Sequence, residues 1–322
     1  MKKFPRSLSL LLLLSIPLLS SCGDDSPSSP TSPGLGQGPS PTPTPTPTSP
    51  SYAEAFRFEA DFGYELMIAN VQRKGQVLGG RLVVSDETGF VEFGSAERNA
   101  LLWNASLSQM TARIQSDVFV YGNEQLVQDR TNDRQWSVLQ GEPYNFELLF
   151  VYKYQELLRY LVAVRHDREF NFDDGQPRRF ESALFGIGGN RTQIDDLPTS
   201  GVREYLLFGQ AGTANTFVIR SADGRQLFLA RDISFTDKKF SVALPFTSTG
   251  SPNTGFMAQF EGTYDPSTGR ISGTVSSPTT DYRGNFEAAY FGPRAEELGL
   301  TFVLTAENQP TLAGFVMGDS GS

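Results

Sequence analysis

The chain has almost no cysteine or histidine, the residues that form disulfides in small secreted domains and bind structural metal ions. Among its 322 residues there is one cysteine, Cys22, and one histidine, His166. A disulfide framework needs cysteines in pairs, and a structural zinc site needs about four cysteine or histidine ligands. The composition therefore excludes both classes.

Positive charge is also scarce. The chain carries 27 Lys and Arg against 36 Asp and Glu, for a formal net charge of −9 and a pI of about 4.8. Affinity for nucleic acid comes from clustered Lys and Arg, so we expect no nucleic-acid partner. An acidic surface favours basic partners instead.

No apolar run is long enough to span a bilayer. The longest, from Leu8 to Leu19, is shorter than the roughly 20 residues that a spanning helix needs. Lys2, Lys3 and Arg6 precede this run. A short apolar stretch behind a positive segment is typical of a signal peptide.

The apolar run ends in Leu19-Ser20-Ser21-Cys22, which resembles the lipobox of bacterial lipoproteins. The resemblance implies cleavage between Ser21 and Cys22 and acylation of the Cys22 thiol, so residues 1–21 are the signal peptide. Several acyl chains on one cysteine form a permanent membrane anchor. The alternative is an ordinary signal peptide followed by an unrelated cysteine.

The residue after the cysteine indicates to which membrane a lipoprotein is sorted. Gly23 stands where lipoproteins kept at the inner membrane carry Asp, and this favours the outer membrane, with display on the cell surface as our expectation. Cleavage removes three positive charges from a chain of net charge −9 and so leaves −12.

Residues 22–51 form the second segment, a tether behind the lipidated Cys22. Nine prolines lie in residues 23–51, and Leu35 is the only large apolar residue there. Such a segment cannot bury a core. If extended as polyproline II at about 3.1 Å per residue, it reaches roughly 90 Å.

Residues 52–322 are rich in short runs typical of β-strands, bounded by Gly, Asn and Asp turns. Before residue 194 we predict strands at Arg57–Phe62, Arg81–Ser85 and Asp117–Tyr121. Periodicity does not separate strand from helix between Leu148 and Val164, where we favour strand.

After Gly201 the pattern becomes regular. Strands with hairpin-like turns at this spacing indicate an antiparallel barrel or sandwich. One short helix is predicted at Pro293–Leu298, ended by Gly299. The predicted strands are Tyr205–Gly209, Thr216–Arg220, Gln226–Ala230, Phe240–Leu244, Phe256–Thr263, Arg270–Val275, Asn285–Phe291, Thr301–Thr305 and Leu312–Met317.

Two segments resemble the transferrin-binding protein B family. The run from Phe286 to Gly299, FEAAYFGPRAEELG, resembles the signature of its β-barrel domain, and Asp196–Gly201 followed by Tyr205–Gly209 resembles the start of the first barrel strand. The chain departs from the family at Leu300, where a second Gly is usual. The family consists of surface-exposed outer-membrane lipoproteins that bind host iron proteins or less defined partners.

The resemblance implies a mainly β fold: a β-rich handle-like domain at residues 52–194, then an antiparallel eight-stranded barrel domain at residues 195–322. The two-lobed receptors of the family have a handle and a barrel in each lobe, and this chain has room for one lobe. The handle half resembles the receptors weakly, so transferrin is not carried over as a ligand. No ligand-contact residue is transferred.

Catalytic candidates are weak. Gly318-Asp319-Ser320-Gly321 looks like a serine-protease nucleophile motif, but the chain stops one residue later and His166 is the only base. Gly186-Ile187-Gly188-Gly189 is interpreted as a turn rather than a phosphate loop, since no helix pattern follows. The paired acids Asp173-Asp174, Asp195-Asp196 and Glu296-Glu297 are interpreted as solvated turn residues.

Haem is the remaining cofactor candidate, with His166 and one of Met67, Met110, Met257 or Met317 as ligands. A lone histidine beside Asp167 and Arg165 is more often a salt-bridged surface residue, and we expect no cofactor and no metal. The sequons at Asn104-Ala105-Ser106 and Asn190-Arg191-Thr192 carry little meaning on a bacterial lipoprotein.

The sequence as a whole predicts a lipid-anchored outer-membrane protein that binds a partner protein or solute, with iron or haem acquisition as one possibility, and without catalysis. One alternative is a structural envelope lipoprotein. A second is a hydrolase with an unrecognised site.

The anchor yields a direct prediction. Cys22→Ser removes the acyl acceptor, so we expect unprocessed precursor that incorporates no labelled palmitate. Metabolic labelling with membrane fractionation checks this, with Ser21→Ala as a control that keeps a small residue before the cysteine. A Cys22→Ser protein of mature size that still fractionates with membranes contradicts the lipoprotein assignment.

Overall fold

Alternating apolar and polar residues fold most of the chain into long antiparallel strands. The computed structural model describes residues 52–55, 57–79, 81–95, 97–130, 133–139, 146–152, 158–173, 177–212, 216–219, 227–250 and 254–321. These residues form twenty strands and three short 3-10 helices. No helix among them is both long and apolar enough to cross a membrane.

The first eleven strands make two sheets, which we call the handle. Sheet one has the strand order β1-β4-β5-β6, and sheet two has the order β3-β2-β11-β10-β9-β8-β7. The strands are β1 Phe62–Glu65, β2 Met67–Leu78, β3 Arg81–Phe93, β4 Asn99–Asn104, β5 Gln109–Ile114, β6 Asp117–Tyr121, β7 Leu126–Arg130, β8 Asp133–Leu139, β9 Phe146–Tyr152, β10 Leu161–Asp173 and β11 Pro177–Gly189.

The last nine strands make the barrel. From β14 to β20 they follow one another around the sheet in chain order, and β12, which lies beside β13 and β14, closes it by pairing with β20 from Leu206↔Asp319 to Gly212↔Ala313. The strands are β12 Val202–Gly212, β13 Thr216–Ile219, β14 Phe228–Ser234, β15 Lys239–Ser248, β16 Gly255–Asp265, β17 Arg270–Ser276, β18 Arg283–Phe291, β19 Glu297–Ala306 and β20 Gln309–Asp319.

Strands β13 and β14 share one place in the barrel. Both run antiparallel to β12, with β13 beside Gln210–Gly212 and β14 beside Val202–Leu207. Both also pair with β15. The barrel is therefore eight-stranded, with one interrupted strand, and the predicted fold class is confirmed.

Aromatic side chains fill the inside of the barrel. Phe286 contacts Phe240 and Phe260 with ring centroids 5.4 and 5.5 Å apart, and Phe302 contacts Phe246 and Phe260. All five of these phenylalanines are at most 1% exposed. As in other small barrels, the interior is a packed core.

The middle strands of sheet two are buried on both faces near the joint. One face packs on sheet one through residues such as Leu149, Val164 and Leu184. The other face packs on the outside of the barrel, where Phe185 and Ile187 lie in one cluster with Phe315, Met317 and other barrel residues. The molecule is thus three layers: sheet one, sheet two and the barrel wall.

Several local predictions are corrected by the structure. The first strand begins at Phe62, not Arg57, because residues 58–60 form a turn. The helix at Pro293–Leu298 is only a 3-10 turn, Pro293–Ala295, and Glu297 already starts β19. Gly186–Gly189 ends a strand, β11, and is not a turn. Between Leu148 and Val164 the described residues contain β9 and the start of β10, so strand is confirmed there.

The packed interior predicts a large cost for one truncation. Phe286→Ala leaves a cavity among three buried phenylalanine rings, and we expect it to lower the free energy of unfolding by about 3–5 kcal/mol. Chemical denaturation measures the loss. Val118→Ala, at a side chain that is 61% exposed, is the control and should cost well under 1 kcal/mol. Equal effects of the two changes would place Phe286 outside the core.

Candidate functional site

The handle and the barrel meet at a buried carboxylate, Glu297, at the start of β19. Its side chain accepts hydrogen bonds from three successive backbone N–H groups of the handle: Arg159 at 2.5 Å, Tyr160 at 3.0 Å and Leu161 at 2.9 Å. Glu297 is 1% exposed. We call Glu297 and residues 159–161 the joint. The prediction that Glu297 is a solvated turn acid is wrong, because its side chain is buried where strand β19 meets the handle.

Burial sets the protonation of this carboxyl. Desolvation raises the pKa of Glu297, to about 7 overall. The hydrogen bonds from the N–H groups of Arg159, Tyr160 and Leu161 lower the pKa, and the charge of Asp319 on the paired strand raises it. The carboxyl therefore titrates near neutral pH, and its proton affinity is coupled to the contact between handle and barrel.

Glycines let the handle approach closely at the joint. Gly292 has φ of +72°, and a Cβ there would lie 2.2 Å from the ring of Tyr160. Gly299 lies inside β19, where a Cβ would lie 2.6 Å from Ile187 of the handle, so it does not turn the chain as predicted. The segment from Gly292 to Gly299 thus forms the barrel's side of the joint.

The chain enters the folded unit beside the joint. Tyr52 donates to the carboxylate of Asp196 at 2.7 Å and accepts the N–H of Gln193 at 2.8 Å. Ala55 N–H donates to the carbonyl of Arg159 at 2.6 Å. The first described residues are therefore fixed to the segment that links handle and barrel.

His166 is buried between the two handle sheets and is 2% exposed, so the prediction of a surface residue is wrong. Tyr121 of sheet one donates to Glu147 of sheet two, and the Tyr121 hydroxyl lies 2.9 Å from Nε2 of His166. Arg168 lies 3.8 Å from the Glu147 carboxylate. Burial alone would raise the pKa of Glu147, but the bonds from His166 and Tyr121 and the charge of Arg168 lower it. This cluster links the two sheets of the handle.

The other candidates are scattered. Ser320 follows the last barrel strand, whereas His166 lies buried between the two sheets of the handle. Met67 and Met317 lie in the layer between sheet two and the barrel, Met110 lies in the handle core, and Met257 lies on β16. Within the part of the chain that the structure describes, no three His, Cys, Asp or Glu residues are grouped to hold a metal ion.

The remaining predicted positions are turns or fall outside the described residues. Asp195 and Asp196 lie in a 3-10 turn, with Asp195 exposed. Asn104 caps its own turn by accepting from Ser106 and from the N–H of Leu107. Ser21, Cys22, the tether and Asp174 lie outside the described residues.

The sequence did not single out the hairpin of β2 and β3, which exposes three large apolar side chains. Leu78 is 57% exposed, Val83 50% and Val84 45%. Val83 and Val84 border a groove of about 720 Å³ that is also lined by Lys74, Gln76, Ser85, Asp86 and Arg178. We call Leu78, Val83 and Val84 the hairpin patch. Its signal in the sequence is the run Leu82-Val83-Val84, which breaks strand alternation.

The hairpin patch lies at the opposite end of the handle from the joint. Strand β2 starts at Met67, which pairs with Ile187 near the joint, and runs twelve residues to Leu78. At about 3.3 Å per residue, the patch is roughly 35–40 Å away from the joint.

Comparison with known proteins gives distant likenesses. No protein-family model matches the chain, and no curated protein matches it. Among solved structures, a double mutant of the vaccine antigen Transferrin Binding Protein B from Haemophilus parasuis Hp5 is 15% identical with a TM-score of 0.39 over 79% of this chain and 44% of that one. The chain thus spans less than half of that protein.

Two further solved structures are also only distantly similar. Intact Ap-TbpB, with N and C lobes, is 11% identical with a TM-score of 0.33, over 81% of this chain and 77% of that one. A protein of unknown function from Nostoc punctiforme is 9% identical with a TM-score of 0.21, over 80% and 95%. Values this low assign no family, and the fold described above rests on the chain's own strand pairing.

The joint predicts an unusual pH dependence. A carboxyl whose pKa is raised on folding stabilises the protein fully below its unfolded pKa of about 4.3 and loses that contribution as pH rises through 7. We expect the stability advantage of the wild type over Glu297→Gln to fall by roughly 2–4 kcal/mol between pH 5 and pH 8.5.

Denaturation of both proteins across that range measures the change. Glu296→Gln, one residue earlier and outside the joint, should show no such trend. A Glu297→Gln difference that stays constant with pH would contradict titration at the joint.

Proposed function

We propose that this protein is an outer-membrane lipoprotein, displayed on the cell surface, which binds a partner protein without catalysis. The proposal rests on the order of segments along the chain. Cys22, the proposed acyl acceptor, is followed by a proline-rich tether and then by a folded β unit whose first described residues lie beside the joint. A tether of this kind is useful for holding a binding surface away from the membrane.

The position of the hairpin patch supports the same proposal. The first described residues, 52–55, lie beside the joint, and the patch lies at the far end of the handle. Exposed apolar side chains that cluster at one place mark sites of protein contact. We propose that Leu78 and Val83, which lie on one face of the hairpin, contact the partner.

The relation to the transferrin-binding protein B family remains part of this proposal. It is supported by the segments Asp196–Gly201 and Phe286–Gly299 and by a barrel packed on a β-sheet handle. The first structure compared is named for binding transferrin, but nothing in the described residues identifies that ligand here. Treating residues 52–194 and 195–322 as two domains is likewise a proposal within the one compact unit Pro50–Ser322.

A structural envelope role is the competing proposal, since a filled barrel on a rigid handle also suits a scaffold. The two proposals differ in whether the folded unit is accessible from outside the cell. A receptor must be reached from outside the cell, whereas a periplasmic scaffold is shielded.

Display and binding are tested together. Intact cells are treated with protease, and we expect the folded unit to be removed while a periplasmic marker survives. Partners are then captured on wild-type protein and on Leu78→Ser/Val83→Ser, identified by mass spectrometry and re-tested as purified proteins. We expect the double change to weaken binding at least about tenfold with little change in melting temperature.

Val118→Ser/Val127→Ser is the matched control, because both valines are exposed on other handle strands. Protection of the folded unit in intact cells would favour the scaffold. Equal binding by the patch and control variants would remove the hairpin patch from the interface.

A further inference from the structure

The first half of β3 is a free strand edge. Within the described ranges, β3 pairs with β2 on one side and with no strand on the other. The barrel lies against the second half of the strand, where Glu87 accepts the N–H of Thr311 and Gly89 lies next to barrel residues. Residues 81–84 extend beyond that contact, toward the end of the handle.

The hairpin geometry shows which backbone groups this edge offers. Two residues join β2 to β3, so the last pair, Leu78 and Arg81, is closed by the hydrogen bond of a β-turn. Opposite residues of an antiparallel pair alternate between hydrogen-bonded and non-hydrogen-bonded pairs. The N–H and C=O groups of Leu82 and Val84 therefore point away from β2, toward the free edge.

A β-bulge ends the free segment. Gly75 pairs with Val84, and Lys74 pairs with Asp86, so Ser85 is the extra residue of the bulge. Bulges, prolines and lysines on an edge strand are devices by which proteins block unwanted strand pairing. Residues 81–84 contain neither proline nor lysine, and the bulge lies behind them. The backbone groups between the turn and the bulge are thus left open to a further strand.

The side chains of this segment are apolar on both faces of the sheet. Leu82 and Val84 point to one face and Val83 to the other, because successive residues of a strand alternate. Val83 and Val84 are each about half exposed. A partner docked on one face of the hairpin covers only one of these two valines. An added strand, whose own side chains alternate, contacts both.

One cation at this end of the handle has no acid opposite it. Residues 74–86 contain two cations, Lys74 and Arg81, and one acid, Asp86, all of them exposed. Lys74 stands opposite Asp86 in the strand register, whereas Arg81 stands opposite Leu78. Opposite charges on neighbouring strands stabilise a sheet. A strand added at the edge of β3 completes such a pair when it places an acid beside Arg81.

We propose that an extended segment of the partner protein pairs with the free edge of β3 at residues 81–84, as an added strand of sheet two with an acidic residue beside Arg81. Strand addition draws affinity from main-chain hydrogen bonds and specificity from alternate side chains. The inference rests on the proposed function and gives the contact at the hairpin patch its chemistry.

A phage-displayed library of random twelve-residue peptides tests the edge without knowledge of the partner. The library is selected on the purified full-length protein, and the enriched peptides are synthesised and titrated by fluorescence anisotropy. We expect enriched peptides that alternate apolar and polar residues and carry at least one Asp or Glu.

Backbone methylation of the best peptide separates strand addition from side-chain docking. Two versions of the peptide carry N-methyl groups on alternate residues, so that each version blocks one edge of the peptide strand. We expect one version to bind at least about tenfold more weakly than the unmodified peptide and the other to bind within about threefold of it.

Two protein variants change the edge in different ways. Val84→Pro removes an N–H that points to the free edge, where proline is tolerated, and should weaken peptide binding at least about tenfold. Val84→Ile keeps that N–H and an apolar side chain, and should bind like the wild type. Arg81→Gln should weaken binding of an acidic peptide at least about threefold, whereas Arg283→Gln, at the exposed start of β18, should leave it unchanged. If thermal denaturation shows that Val84→Pro disturbs the fold, the methylated peptides carry the test.

The proposal is overturned if no peptide is enriched, if both methylated peptides bind like the unmodified one, or if Val84→Ile weakens binding as much as Val84→Pro. Dimerisation of the protein that Val84→Pro abolishes, measured by light scattering, would assign the edge to a second copy of the chain instead.

The outcomes also separate the edge from the wider function. Peptide binding at the edge of a protein that has no partner would keep the strand site and remove the receptor role. Partner binding that Leu78→Ser/Val83→Ser weakens and Val84→Pro does not would keep the receptor role and place the partner on one face of the hairpin.

Discussion

The arrangement of the molecule depends on one buried carboxylate with an unusual set of partners. Glu297 belongs to the barrel, and its hydrogen bonds are donated by the backbone of residues 159–161 in the handle. Two of those N–H groups, on Arg159 and Tyr160, precede β10, and the third is on its first residue, Leu161. Each would cost about 1–3 kcal/mol if left buried and unpaired. Neither half of the molecule satisfies its polar groups at this place without the other.

The same constraint explains which parts of the fold could be predicted from the sequence. Barrel strands alternate apolar and polar residues because one face fills the interior, and on the predicted strand Asn285–Phe291 the side chains of Phe286 and Tyr290 do lie in the core. The burial of Glu297 leaves no such pattern. It depends on a segment 136–138 residues away, which periodicity within β19 cannot reveal.

The handle was harder to predict for a related reason. Sheet two is covered on both faces, so its strands do not alternate cleanly, and β10 carries apolar, basic and acidic residues in turn. His166 illustrates the difficulty. Its neighbours in the chain, Arg165 and Asp167, point to the opposite face and pair with each other, while Tyr121 and Glu147 come from β6 and β9 to meet the imidazole. A strand places adjacent residues on opposite faces, so sequence neighbours were the wrong guide to its surroundings.

The long strands of sheet two connect the two ends of the handle. β10 and β11 pair over thirteen residues, and β2 pairs with β11 over ten, so the sheet is continuous from the joint to the hairpin patch. Between these ends, charged residues replace apolar ones on the face of sheet two toward the barrel, beginning with Arg73, which donates to the carbonyl of Thr311 at the edge of the barrel. Apolar residues are needed where the barrel wall covers the strands, and further along the same face carries carboxylates and guanidinium groups. In the proposed receptor, the hairpin patch lies at the far end of the strands that pack on the barrel.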